Sequence, residues 1–289
     1  MSATLDATAA PDDTSARAWR RALTILAVAT LLRLLIGALV PLFPDETYYW
    51  DWSRTIRPGY FDHPPMIAAL IRAGTALFGQ TAFGVRFFPI LAGTAAAAGV
   101  TFTARELGDD HAAEQASLIF ACLPLAAVGL VLATPDAPML AAAAWAMYAV
   151  VRAVKAAEPP AGARLANSGS RAAERWWLVA GMAIGCAMAS KYTSVLLPAG
   201  IAVGFLAHPR LQNKFGERGP YLAVLVASLV IAPVLWWNAT HDWVSFKFQL
   251  GHGLGAPKGG LVGALNRELE LIGGQVGRAS CRERVLRLV

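Results

Sequence analysis

The chain has 289 residues, 56% of them hydrophobic and only 15% charged, with a mean hydropathy of +0.47. That balance excludes an ordinary soluble domain and reads as an all-α polytopic membrane protein, one helical span needing about 20 apolar residues. The net charge of +6 and pI near 9.5 are then a matter of topology, since Lys and Arg gather in cytoplasmic loops, and do not point to nucleic acid.

In chain order, residues 1–21 form a polar segment ending in Arg17, Arg20 and Arg21. The apolar run that follows is too long for a signal-peptide core and lacks a small-residue cleavage site, so it reads as an uncleaved first span. Seven spans are predicted at 22–43, 82–105, 113–133, 136–154, 176–190, 193–207 and 219–238, within a membrane domain of 22–274. The fifth and sixth, parted by Lys191, read as two tilted spans or one broken unit. Cys122 and Cys186 fall inside apolar segments, and with Cys281 they show neither metal nor disulfide spacing.

Basic clusters precede span one, separate spans four and five (Arg152 to Arg175), and separate spans six and seven (Arg210 to Arg218). A cytoplasmic N-terminus puts all three inside. The same threading puts Asp45-Glu46, Thr134-Pro135-Asp136, Ser190-Lys191-Tyr192 and His241-Asp242 on the outer face. The loop from Glu106 to Glu114 is cytoplasmic and reads as solvated surface, and Arg33 as the one deep charge, paired or snorkelling.

The first outer loop is predicted to hold two interfacial helices. Asp45, Tyr48, Tyr49 and Trp52 share one helical face by their spacing. Pro58-Gly59 breaks that helix, and Asp62-His63-Pro64-Pro65 opens a second one running to about Phe78.

Each polar residue here has two readings. Asp62 is a helix N-cap or a ligand. Asp136 complements a helix dipole or joins the site. Lys191 snorkels to headgroups or meets a phosphate. His241 is a hydrogen-bonded loop histidine or a metal ligand. The Tyr-Trp cluster anchors the interface or offers flat surface to a sugar. Asp45 is the functional candidate, because a cap needs only one of two adjacent carboxylates and ionisable groups at a bilayer boundary are costly. Together these types suit a phosphate-linked substrate: a carboxylate to take a proton from an attacking hydroxyl, and a lysine or divalent cation to offset charge on a departing phosphate.

The ordered series Pro44-Asp45-Glu46-Thr47-Tyr48-Tyr49-Trp50, Gly59-Tyr60-Phe61-Asp62-His63-Pro64-Pro65, Thr134-Pro135-Asp136, Ser190-Lys191-Tyr192-Thr193 and Trp237-Asn238 to Phe246 resembles bacterial family-39-type glycosyltransferases. These are relatives of protein O-mannosyltransferases and of the aminoarabinose transferase that modifies lipid A. The resemblance runs from about Arg20 to Gly274. It implies the GT-C glycosyltransferase fold, a location in the bacterial inner membrane, and inverting transfer of a sugar from a polyprenyl-phosphate donor to a lipid, glycan or protein acceptor.

By motif, Asp45 corresponds to the catalytic carboxylate and Asp136 to the second acidic position. Glu46, Tyr48, Tyr49, His63, Lys191 and Tyr192 fall on the substrate side, with Lys191 at the phosphate. Asp62 and His241 fall at the position of a divalent metal. Asp62-His63 stands where the aminoarabinose transferases carry Glu-Lys, which argues against aminoarabinose as the sugar. A transporter or lipid flippase is the alternative reading; it predicts ionisable groups at mid-membrane and internal repeats. Residues 275–289 break the pattern and read as a tail foreign to the domain, and the family pattern implies further spans beyond the chain's end.

Overall fold

The computed structural model describes residues 13–157 and 167–254. The expected foreign tail, the end of the 22–274 domain and most of the connector after span four lie outside those residues. The described residues are helical, as the all-α expectation requires.

Helix α1 (Asp13–Leu39) is followed by α2 (Pro44–Ser53) and α3 (Met66–Phe78), then by α4 (Ala82–Leu107). Pro44 occupies the first turn of α2, where no N–H is missed. Thr81 caps α4 by accepting from the Gly84 amide (3.0 Å), and Asp109 caps the next helix, α5 (Asp110–Cys122), by accepting from the Ala112 amide (2.8 Å). The two interfacial helices of the first loop are thus α2 and α3.

The predicted third span is not one helix. It is α5 (Asp110–Cys122) and a short α6 (Pro124–Gly129), followed by irregular chain to Pro135. Pro124 has no N–H to donate to the fourth carbonyl before it, so one helix ends and another begins there. Next come α7 (Asp136–Ala156) and α8 (Asn167–Met188). A turn at Lys191 leads through a short 3-10 segment into α9 (Leu196–Ala207). The chain bends by 112° into the segment Pro209–Gly216, which contains α10 (Pro209–Gln212), before α11 (Arg218–Thr240).

By length and hydropathy, α1, α4, α7 and α11 are each long enough to cross a membrane, and the bent pair around His208 makes a fifth at most. Helix α8 is long enough as well, but Arg171, Glu174 and Arg175 charge its first half. Trp243 begins a second unit, whose described part is the helix α12 (Val244–Leu254).

Small residues let the helices approach closely, as is usual in lipid. A β-carbon on Gly181 of α8 would lie 2.4 Å from the Ala223 carbonyl of α11, and one on Gly74 of α3 would lie 2.1 Å from the Gly84 carbonyl of α4. Both positions therefore require glycine.

Polar residues gather at the two ends of this bundle. At one end, Asp110 accepts from Ser15 (2.7 Å) and Arg105 (2.5 Å), Glu114 lies 3.5 Å from Arg21, and Glu106 pairs with Arg152 and Lys155. The Glu106–Glu114 loop, expected as plain solvated surface, is therefore an ion-pair network joining α1, α4, α5 and α7. Arg33 is 4% exposed and its Nε meets no acceptor among the described residues, so the side chain is held inside the bundle and does not snorkel.

Candidate active site

At the opposite end, the first turn of α2 splits its two carboxylates. Adjacent helical residues point about 100° apart, and here Asp45 faces outward while Glu46 is fully buried. The Glu46 carboxylate receives four donors: Arg86 Nε (2.7 Å) and the Ala133 amide (2.9 Å) on Oε1, and Arg86 Nη2 (2.5 Å) and the Phe43 amide (2.9 Å) on Oε2. Its accepting capacity is full. Glu46 is therefore not a substrate contact, and that expectation is corrected: it is a strut.

Arg86, equally buried, also donates to the carbonyls of Gly37 (3.1 Å), Val40 (2.5 Å) and Pro41 (2.8 Å), which close the end of α1. One ion pair thus ties together α1, α2, α4 and the segment just before Asp136. Sequence reasoning missed Arg86, although an arginine inside the apolar stretch Ala82–Leu107 was a legible signal. Arg33 is not the one deep charge.

A second strand of contacts brings in α3 and α8. The Met66 amide donates to the Ala189 carbonyl (3.2 Å), setting the Asp62-His63 turn beside Ser190-Lys191. Lys191 Nζ donates to Asp136 Oδ1 at 2.7 Å, with both side chains part-exposed. Tyr192 accepts from Asn238 Nδ2 (3.1 Å), a fully buried amide that also donates to the Val234 carbonyl. Asn238 was likewise not foreseen. Asp62 does not cap α3, whose N-cap is Pro65; it accepts from the Tyr48 hydroxyl (3.4 Å), and His63 Nδ1 lies 3.4 Å from it.

The aromatic residues converge here. Tyr48, Tyr49 and Trp52 form a mutual cluster, with Trp52 stacked flat on Tyr60 at 4.5 Å and Tyr49 edge-on to His63 at 5.8 Å. Burial first, then the charges of Asp62, Asp45 and Asp136, hold the Tyr49 hydroxyl well above the ordinary tyrosine range. One phenol is thus within Coulombic reach of three carboxylates that the sequence spreads over some ninety residues. Burial and Asp62 raise Tyr48 in the same direction. Both hydroxyls remain neutral donors at physiological pH.

The expected metal site finds no support. Among the described residues no three His, Cys, Asp or Glu side chains gather to hold an ion. His241 is instead stacked on Trp237 at 4.1 Å, its Nδ1 at 2.8 Å from the Trp237 carbonyl. A β-carbon on Gly59 would lie 2.6 Å from the Trp237 ring, so glycine lets the α2–α3 turn pack on the end of α11.

A multi-pass helical bundle, with two short helices beside an acidic, aromatic-lined end, defines a membrane protein of the GT-C glycosyltransferase fold. Residues 62–237 match the family described as dolichyl-phosphate-mannose-protein mannosyltransferase, and the chain belongs to that family. It is 31% identical over 201 residues to the lipid A galacturonosyltransferase RgtD of Rhizobium johnstonii, a match covering 69% of this chain and 39% of that one. Its fold is similar to that of ArnT from Cupriavidus metallidurans in the apo state, with TM-score 0.62, 20% identity, and coverage of 80% of this chain and 43% of that one. The same protein bound to undecaprenyl phosphate matches with TM-score 0.59 at 20% identity, over 76% and 41% of the two chains. The chain spans about two fifths of the length of these relatives.

Proposed function

We propose that the protein is an inverting glycosyltransferase that moves a sugar from a polyprenyl-phosphate donor to a hydroxyl acceptor. In this reading the N-terminus is cytoplasmic and the site opens on the outer face of a bacterial inner membrane. The observation that carries it is the exposed carboxylate of Asp45, which acts on the Tyr49 hydroxyl together with Asp136, the partner of Lys191, while its neighbour Glu46 is tied to the Ala133 amide.

The chemistry follows from that arrangement. Asp45 takes the proton of the acceptor hydroxyl as its oxygen attacks the anomeric carbon. The bond from that carbon to the phosphate oxygen breaks on the opposite side, which inverts the centre. The departing phosphate keeps the electron pair, and Lys191 offsets its charge. Asp136 holds the lysine in place until the phosphate arrives. Tyr48 and Tyr49 donate to sugar hydroxyls, and the part-exposed Trp52 ring, backed by buried Tyr60, supplies apolar surface.

Two facts favour transfer over transport. The relatives are named as transferases, RgtD for lipid A. The ionisable groups gather at the two ends of the bundle, and the buried Glu46–Arg86 pair is closed, whereas a transport route needs a series of free groups near mid-membrane.

The test is transfer of labelled sugar in proteoliposomes from polyprenyl-phosphate donors to lipid, glycan and peptide acceptors. Asp45→Asn is expected to abolish transfer with expression intact; wild-type turnover in that variant rejects the role given to Asp45.

A further inference from the structure

The cations at the end of the bundle away from the candidate site fall into two groups. On the side of α1, α4, α5 and α7, Arg21, Arg105, Arg152 and Lys155 each pair with a carboxylate. Arg17 and Arg20, on α1, donate to carbonyls of their own helix. On the side of α8, α10 and α11, Lys214 pairs with Glu217 at 2.7 Å. Arg171, Arg175, Arg210 and Arg218 are different: all four are exposed, and none has an ion-pair or hydrogen-bond partner among the described residues.

These four arginines surround one packed cluster. Trp177 of α8 is buried at its centre, Leu211 and Phe215 pack against it, and a β-carbon on Gly219 of α11 would lie 2.0 Å from the Trp177 ring. Arg175, Arg210 and Arg218 each stand within two residues of one of these contacts, and Arg171 lies one turn before Arg175. A little further along, Gly181 and Gly185 bring α8 and α11 into close contact. The arginines therefore crown a single seam between two helices.

Beyond the arginines, the same helix faces turn apolar while staying exposed. On α8, Leu178, Val179 and Met182 follow Arg175 at three, four and seven residues, the spacing of one face, and are 40% to 50% exposed. On α11, Tyr221, Val224 and Leu225 follow Arg218 and are 55% to 64% exposed. Cation and apolar stripe together select the partner. An acidic protein in water would meet the arginines and leave the stripes bare, and plain hydrocarbon would cover the stripes and leave the charges unmatched. An anionic phospholipid satisfies both, because the guanidinium fork fits phosphate oxygens and the acyl chains lie along the stripes.

We infer that the ends of α8 and α11 form a binding site for an anionic glycerophospholipid, with its phosphate between Arg175 and Arg218 and its acyl chains on the two apolar faces below. A lipid seated there ties α8 to α11 at the end of the bundle opposite the candidate active site. The site stands independently of the transferase reading.

Native mass spectrometry of the full chain in detergent, titrated with dioleoyl phosphatidylglycerol or dioleoyl phosphatidylcholine, tests it. Each basic residue near a membrane surface is worth about a fivefold change in anionic-lipid binding. Wild type is therefore expected to prefer phosphatidylglycerol by at least about thirtyfold, the worth of two arginines. Arg175→Gln/Arg218→Gln should lose most of that preference and bind phosphatidylcholine as before. Arg17→Gln/Arg20→Gln removes the same charge from α1 and should keep the preference. No preference in wild type, or equal loss in both double variants, overturns the inference. Displacement of phosphatidylglycerol by polyglutamate assigns the arginines to an acidic protein and overturns it as well.

A second arm reads the position. Phosphatidylglycerol with a diazirine on its acyl chain, diluted into phosphatidylcholine bilayers holding the protein, should label peptides containing Leu178–Met182 and Tyr221–Leu225. Unlabelled phosphatidylglycerol should compete. Labelling spread evenly over the exposed faces of α1 and α4 as well describes bulk lipid and overturns the inference.

Discussion

Glu46 and Arg86 meet as a two-point ion pair at 2.7 and 2.5 Å, both side chains fully buried, with every acceptor position of the carboxylate and every N–H direction of the guanidinium in use. The pair lies directly behind Asp45. It converts an acidic dipeptide into one outward carboxylate and one inward anchor, and through Ala133 it sets where Asp136 can stand.

Because both charges are desolvated, removing one strands the other. Arg86→Met or Glu46→Ala is expected to cost about 3–5 kcal/mol, whereas the double variant Glu46→Gln/Arg86→Met should recover much of that loss. Thermal unfolding in detergent measures all three. Arg86→Lys should not restore the wild type, since an ammonium cannot reproduce the forked geometry. A single variant as stable as wild type contradicts the strut.

The Lys191–Asp136 pair is of the opposite kind. Its side chains are 29% and 46% exposed, so it stabilises the fold by at most about 1 kcal/mol. Lys191→Met should therefore leave the unfolding midpoint nearly unchanged while transfer falls by at least about tenfold, the scale of removing one charge-stabilising donor. A large loss of stability with normal transfer reverses the assignment.

Two glycines should respond in opposite directions. Gly181→Leu drives a side chain into the α11 backbone and is expected to separate α8 from α11, destabilising by about 1–3 kcal/mol. Gly204, in α9, has nothing within 4 Å of a β-carbon, and Gly204→Ala should stabilise by up to about 1 kcal/mol. Detergent unfolding curves decide both.

Tyr49 gives a test by pH. Burial and three carboxylates raise its pKa, so the folded protein holds that proton more tightly than the unfolded chain does. The neutral phenol's contribution to stability is complete below the unfolded value of about 10 and is lost as pH rises through the higher folded value. Ultraviolet difference titration of wild type against Tyr49→Phe should show that the missing phenol titrates late. A missing phenol that titrates near the ordinary value removes Tyr49 from the carboxylate cluster.

Much of the architecture was legible because its causes are local. Proline at 44 starts α2, the apolar runs of α1, α4, α7 and α11 meet the length of a bilayer, and the aromatic spacing of α2 puts Tyr48, Tyr49 and Trp52 on one side. The single third span was misread because Pro124 breaks a stretch whose composition alone reads as continuous. The metal positions at Asp62 and His241 were assigned by motif, and motif carries no information on whether two side chains meet.

What the sequence determined unaided was therefore the class of protein, an all-helical membrane chain, and the inventory of polar residues at the helix ends. Tertiary structure decided the rest: that Glu46 turns inward to Arg86, 40 residues away, and to Ala133, 87 residues away, while Asp45 stays outside. The physical reason is that helix periodicity sets the angle between neighbouring side chains, but only the packing of distant helices determines which direction is the interior.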